Sequence, residues 1–284
     1  MTTKTALTEE GTSRTIQAGG VKLHYQEAGK GDPILFLHAY GPGTTAWAQW
    51  QKNIAALSQH FHCIMMDLQN SGKSERMEPL PNEPGHHTMA RTALLLLDAL
   101  GIQKAHLVGN SMGGTTCLVI GIDHPDRVNK SVAGACHAST GGDPYLIANR
   151  PSEGSKATGE ATANPTRENI RRYLSVHLDD QALVTDQLVD YLLEHHVSSV
   201  RNQPPRSGGQ RILHSNMADL PKIKAPTLII HGRYDRMVPV EQGLMIMNYI
   251  PDSRLVVFNH CGHWPPYEHP DEYNLQVLNF LKNS

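Results

Sequence analysis

Short apolar runs, separated by stretches of helical length or by glycine-bounded turns, recur along the first half of the chain. "VKLHYQEAG" at 21–29, "PILFLHAY" at 33–40, "FHCIMMDL" at 61–68, "KAHLVGN" at 104–110 and "NKSVAGAC" at 129–136 read as strands. Near-continuous apolar character in such short runs marks strands covered on both faces. Between them, "HHTMARTALLLLDALG" at 86–101 has helical length and ends on Gly101, a C-capping residue type. "MGGTTCLVIGIDHP" at 112–125 reads as a helix stopped near Pro125. This alternation predicts a parallel sheet with helices on both sides.

The pattern breaks after residue 137. Residues 138–218 lack strand runs. They open with "ASTGGDP", pass through the polar "SEGSKATGEATANP", and hold two helical segments, 166–178 and 185–200. The sheet pattern returns with "PTLIIHGRYD" at 226–235 and "SRLVVFNHCGH" at 253–263, and the last helix is predicted over 269–283. The expected fold is α/β: a doubly wound, mostly parallel sheet built from 1–137 and 219–284, with a helical cap inserted at 138–218.

Composition narrows the function. The 284 residues carry a formal net charge of −2 with no long run of one sign. Nothing in that balance recruits nucleic acid or an anionic membrane. The N-terminus is polar and no stretch is long enough to span a bilayer, so a cytoplasmic protein is expected. The four cysteines, Cys63, Cys117, Cys136 and Cys261, are scattered and fit free thiols in a reducing compartment. The 17 histidines include the adjacent pairs 86–87 and 195–196, but neighbours on a helix diverge and chelate poorly. "HCGH" at 260–263 does not match the usual structural zinc spacings, so no metal is expected. "GKS" at 72–74 resembles the end of a phosphate loop, but that motif needs glycine at 67, where Asp67 stands.

The chemistry is concentrated in "LVGNSMGG" at 107–114. G-x-S-x-G between a strand and a helix is the pattern of a nucleophile elbow, with small residues around a serine on a sharp turn. A plain glycine-rich turn is the alternative. A serine hydroxyl needs a base, and the base needs an orienting acid. The chain order in such sites is Ser, Asp or Glu, then His. Ser111, Asp235 just past one strand and His263 just past the last strand follow it. His260 and Asp143 are the rivals. An oxyanion needs two amide donors. Met112, which follows the serine, supplies one, and the loop "HAYGPG" supplies the other.

"LHAYGPGTTAW", "VGNSMGG", "HGRYDRMVP" and "CGHWPPYEHPDEYN", in this order and with a helical insertion, resemble the meta-cleavage product hydrolases of the α/β-hydrolase superfamily. The similarity runs nearly the whole chain. It implies hydrolysis of a C–C bond in vinylogous 1,5-diketones, the 2-hydroxy-6-oxo-dienoates. It implies no cofactor, a small-molecule substrate and a homo-oligomer. It assigns Ser111, Asp235 and His263 as the triad, the Tyr40 and Met112 amides as the oxyanion hole, and Gly41, Asn110 and Trp264 to the substrate site. Three positions depart from the family. Its carboxylate-binding arginine is replaced by Leu192, an asparagine by Gln49, and a loop glycine by Tyr40, whose ring is expected to fill pocket space. Arg201, Arg206 or His177 would have to replace the missing cation.

Burying a substrate carboxylate without a cation is costly. The leading expectation is therefore an ester or lactone hydrolase acting on a largely apolar substrate. C–C hydrolysis of an altered ring-cleavage product is the alternative, and a non-catalytic ligand-binding homologue is a third. Capped relatives that open epoxides or displace halides use an aspartate nucleophile, and Ser111 argues against both. Leu183, Leu188, Leu192 and Leu193 read equally as helix packing or as pocket lining, and Trp264 as core or as pocket.

Overall fold

A computed structural model describes residues 7–138, 152–202 and 214–283. The strands are β1 (Ser13–Ala18), β2 (Val21–Ala28), β3 (Pro33–Leu37), β4 (His62–Met66), β5 (Ala105–Asn110), β6 (Val128–Gly134), β7 (Thr227–Gly232) and β8 (Ser253–Phe258). They form one sheet in the order β1-β2-β4-β3-β5-β6-β7-β8. β2 runs antiparallel to both of its neighbours, and every other pair is parallel. The described helices are α1 (Glu9–Thr12), α2 (Ala46–Leu57), α3 (Gly85–Ala99), α4 (Met112–Asp123), α5 (Glu153–Ala163), α6 (Arg167–His177), α7 (Asp186–Asn202), α8 (Glu241–Tyr249), α9 (Pro265–Glu268) and α10 (Pro270–Lys282).

Alternation along β3 separates two cores, because successive side chains point to opposite faces. Leu35 and Leu37 join Leu96 and Leu97 of α3 and Cys117 and Val119 of α4 on one face. Ile34 and Phe36 join Trp50 and Ile54 of α2 and Tyr273 and Val277 of α10 on the other. Each fully buried large side chain contributes roughly 1.5–3 kcal/mol of burial free energy. All six residues of β5 and of β7 are buried, which is why both read as continuous apolar runs. The sheet is the mostly parallel, doubly wound α/β architecture expected from the sequence.

Hydropathy did not single out six elements, two of which are the four-residue helices α1 and α9. β1 is a polar edge strand. α2 carries Gln49 and Asn53 on its buried face, which interrupts its apolar stripe. α8 is short and buries only Gln242, Gly243 and Ile246. α5 buries Gly154, Ala157, Thr158 and Ala161, which are correctly spaced for a helix face but too small to register as hydrophobic. All four cysteines are free and buried. Among the described residues, no helix is long and apolar enough to cross a membrane.

α5, α6 and α7 lie between β6 and β7 in the chain. They share a third apolar cluster, in which Tyr173, Leu174 and Leu192 meet Ala48 and Trp264. A Cβ on Gly41 would fall 2.1 Å from the Tyr173 hydroxyl, and one on Gly43 would fall 1.8 Å from the Leu192 carbonyl. The loop after β3 therefore accepts α6 and α7 only as glycine.

Two glycine substitutions separate helix propensity from close approach. Gly159 is exposed within α5, and a Cβ there meets nothing within 4 Å. Gly159→Ala is expected to stabilise by ~0.5–1 kcal/mol. A Cβ on Gly113 would lie 2.0 Å from the Leu37 carbonyl oxygen. Gly113→Ala is expected to cost at least ~1–3 kcal/mol. Urea midpoints of the two variants, measured side by side, check both signs.

Candidate active site

β5 ends at Asn110, α4 begins at Met112, and Ser111 alone makes the turn, at φ +52° and ψ −118°. A side chain held there costs ~1–3 kcal/mol and persists only where its surroundings enforce it. Two backbone hydrogen bonds do so. The Ser111 amide donates to the Gly134 carbonyl (2.7 Å), and the Thr115 amide donates to the Ser111 carbonyl (2.9 Å). The neighbours must be small. A Cβ on Gly109 would sit 2.3 Å from the Gly113 carbonyl oxygen, and one on Gly114 would sit 2.8 Å from Cys136 Cβ. The turn places Ser111 at the N-terminus of α4, where unpaired amides favour negative charge.

His263 follows β8 and Asp235 follows β7, on the loops at the carboxyl ends of these parallel strands. His263 Nδ1 lies 2.7 Å from Asp235 Oδ2. That contact assigns the proton to Nδ1 and leaves the Nε2 lone pair free. Nε2 is buried with no hydrogen-bond partner among the described residues. Asp235 Oδ1 accepts the amides of Met237 (2.8 Å) and Val238 (2.9 Å). His231 Nε2 lies 3.4 Å from Oδ2. Burial alone would raise the Asp235 pKa, but His263 and His231 outweigh it and hold the carboxyl well below its usual range. Asn110 Nδ2 donates to the His263 carbonyl (3.1 Å), so the residue before Ser111 touches the histidine directly. His260 is exposed, has a positive φ of +49°, and packs its ring on Tyr234. Asp143 lies outside the described residues.

The Tyr40 side chain is 46% exposed, so the ring expected to fill pocket space stands open to solvent. Gln49 is fully buried, and its Oε1 accepts the Ala39 amide (3.1 Å), which fixes the loop that carries Tyr40 and Gly41. Met112 opens α4. Leu192 and Trp264 are fully buried in the third apolar cluster, with the Trp264 ring 6.3 Å from that of Tyr173. Arg206 and the side chain of Arg201 lie outside the described residues.

His177 is in the site but not as a cation. It is fully buried, and its pKa is pushed down to about 3 by desolvation, with the nearby His263 adding to the effect. Its ring lies 5.3 Å from that of His263, and its carbonyl accepts the His263 amide (2.7 Å). Sequence reasoning missed Glu268 altogether. Its Oε1 accepts the amides of Gly262 (2.9 Å) and Trp264 (3.3 Å), which flank His263, and its Oε2 accepts that of Asp179 (2.6 Å). Burial raises its pKa despite those bonds. The only signal was a glutamate before His-Pro at a helix start, five positions after His263. Among the described residues, no group of three His, Cys, Asp or Glu side chains could hold a metal ion.

The sequence profile of the α/β hydrolase fold matches residues 32–270. The chain is 34% identical over 289 residues to a 2-hydroxy-6-oxononadienedioate/2-hydroxy-6-oxononatrienedioate hydrolase of Pseudomonas sp, covering 97% of this chain and 99% of that one. It is 34% identical to a 2-hydroxy-6-oxo-6-phenylhexa-2,4-dienoate hydrolase of Burkholderia cepacia, covering 98% and 99%. The solved structure of a meta-cleavage product hydrolase from Pseudomonas fluorescens IP01 superimposes with a TM-score of 0.81 at 30% identity, over 94% of this chain and 97% of that one. The family match spans most of the chain and the relatives match it nearly from end to end, so the chain belongs to the α/β hydrolase fold family.

Proposed function

We propose that this α/β-fold serine hydrolase attacks a carbonyl with Ser111, using His263 as the base and Asp235 to orient it. One observation carries the reading. A serine forced to φ +52° at a helix N-terminus follows the residue that hydrogen-bonds His263, whose Nδ1 is fixed on an ionised Asp235. Ser111 Oγ adds to the carbonyl carbon and its proton passes to His263 Nε2. The amides of Tyr40 and Met112 stabilise the oxyanion. The imidazolium then protonates the leaving group, and water releases the acyl-enzyme by the same steps in reverse order. Residues 138–218 act as the cap over this site. Contacts of Tyr173 and Leu192 with Gly41 and Gly43 support that role.

The leading substrate is a largely apolar carboxylic ester or lactone. Leu192 and Trp264 present no charge, and His177 stays neutral, so neither Leu192 nor His177 offers a substrate carboxylate a cation. The second reading is C–C hydrolysis of a 2-hydroxy-6-oxo-dienoate. It is favoured by relatives of that name at 34% identity over nearly the full chain. There His263 would also assist ketonisation of the dienol.

Steady-state and burst kinetics on a p-nitrophenyl ester and on a 2-hydroxy-6-oxo-dienoate, run in parallel, separate the two. The ester is expected to give the higher kcat/KM. A dominant dienoate rate would reverse the ranking and point to a cation elsewhere in the cap. Ser111→Ala is expected to lose the burst on both substrates, and equal rates in wild type and variant would sink the proposal itself. Asp235→Asn should lower kcat by about 10⁴ because the imidazole tautomer is lost.

Glu268 is a positioning residue in this scheme. Glu268→Ala removes the acceptor of four amides, those of Asp179, Asp180, Gly262 and Trp264, and should cost ~1–3 kcal/mol of stability. It should also lower kcat while leaving KM nearly unchanged. Glu268→Gln keeps one acceptor oxygen and is expected to recover part of the kcat. A variant that melts earlier with an unaltered kcat would limit Glu268 to a structural role.

A further inference from the structure

A second Ser-His-Asp relay lies away from Ser111, across the antiparallel end of the sheet. Ser13 Oγ is 2.8 Å from His24 Nε2, and His24 Nδ1 is 2.7 Å from Asp67 Oδ2. The topology makes the arrangement. Ser13 pairs with Gln26 in the β1–β2 register, so Ser13 and His24 are diagonal neighbours on one face. Tyr25 pairs with Met66, and Asp67 follows at the end of β4, where its amide donates to the His24 carbonyl (3.0 Å). The relay thus steps over three adjacent strands.

The Asp67 carboxylate is held much as Asp235 is held, by two amides and an imidazole. Asp67 is buried, accepts the amide of Ala46 on Oδ1 (2.8 Å) and accepts that of Lys73 on Oδ2 (3.0 Å). Burial would raise its pKa, but the hydrogen bonds from His24 and the Ala46 amide help to overcome it, so the carboxyl stays ionised. His24 is 2% exposed, and its amide donates to Ser74 Oγ (2.9 Å). Ser13 is half-buried. It lines an open surface cleft of about 400 Å³ with Glu9, Glu10, Lys73 and His195. Glu9 is fixed there by the Tyr191 hydroxyl (2.9 Å).

We propose that Ser13 is a second nucleophilic serine, which takes one acyl or phosphoryl group from a small uncharged donor. Its Oγ attacks the acyl carbon or phosphorus, its proton passes to His24 Nε2, and the leaving group departs with the bonding electron pair. Two carboxylates against one ammonium on the rim disfavour anionic donors and support an oxyanion weakly. Formation is therefore slower than at Ser111, by at least about 100-fold. The same deficit slows release, so the product is a stable adduct rather than turnover.

The test uses the full chain carrying Ser111→Ala, which silences the other serine whether or not it is the hydrolytic nucleophile. Diisopropyl fluorophosphate is the probe, read by intact mass and then by peptide mapping. One diisopropylphosphoryl group on the peptide containing Ser13, with fluoride released, is expected. Adding Ser13→Ala, which leaves His24 and Asp67 in place, should abolish it. No adduct, or adducts scattered over several surface serines, would overturn the proposal. So would a Ser13 adduct that forms at an unchanged rate in a folded His24→Gln variant.

Discussion

The backbone of α4 rests so close to β3 and β6 that no side chain fits between them, and the active-site geometry follows from that contact. Gly113 touches the Leu37 carbonyl, Gly114 touches Gly134 and Cys136, and Gly109 touches Gly113 itself. A helix seated this deeply must begin immediately at the strand end. The turn then has one residue in which to reverse direction, and that residue takes φ +52°. Packing of the two cores stabilises the contact, and the strain is concentrated on Ser111. The same depth brings the first amides of α4 to the level of the loop after β3. The helix–sheet contact that strains the serine thus also assembles the groups around it.

Ionised carboxylates set a second condition. The side chains of Asp235 and Asp67 are both buried, and an isolated buried carboxylate would take up a proton. Each instead receives two backbone amides and the Nδ1 of one imidazole, His263 on Asp235 and His24 on Asp67, with His231 as a further imidazole 3.4 Å from Asp235. The amides come from chain segments that must stay in place: residues 237 and 238 after β7, and Ala46 at the start of α2 with Lys73 beyond β4. Both imidazoles hold their Nδ1 on the carboxylate and turn Nε2 outward. At His263 this atom has no partner among the described residues, whereas at His24 it meets Ser13.

The sheet and the three residues at its edge were legible because their signals are local. Ser111, Asp235 and His263 each close an apolar run that survives on its own as a strand pattern. What the sequence hid depends on contacts between distant segments. Tyr173 matters because Gly41 has no side chain, a relation across two elements that no period records. Glu268 matters because its oxygens reach amides at 179, 262 and 264. α5 stayed hidden because its buried face is Gly, Ala and Thr. His177 was read as a possible cation, since burial, which decides its charge, is absent from the sequence.

His177 also links the base to the helices between β6 and β7. It ends α6, its ring stands against His263, and its carbonyl holds the His263 amide. Two residues later the Asp179 amide donates to Glu268, whose other oxygen holds the amides on either side of His263. The end of α6 and the histidine loop are therefore one hydrogen-bonded unit. These helices cannot lift from the sheet as a rigid lid without breaking bonds that fix the imidazole. Any opening that spares the base must instead occur elsewhere in the segment, at the contacts of α7 and Tyr173 with the glycine loop, where apolar and backbone surfaces meet. In the proposed scheme, substrate access and the position of His263 would thus be governed by different edges of the same helical segment.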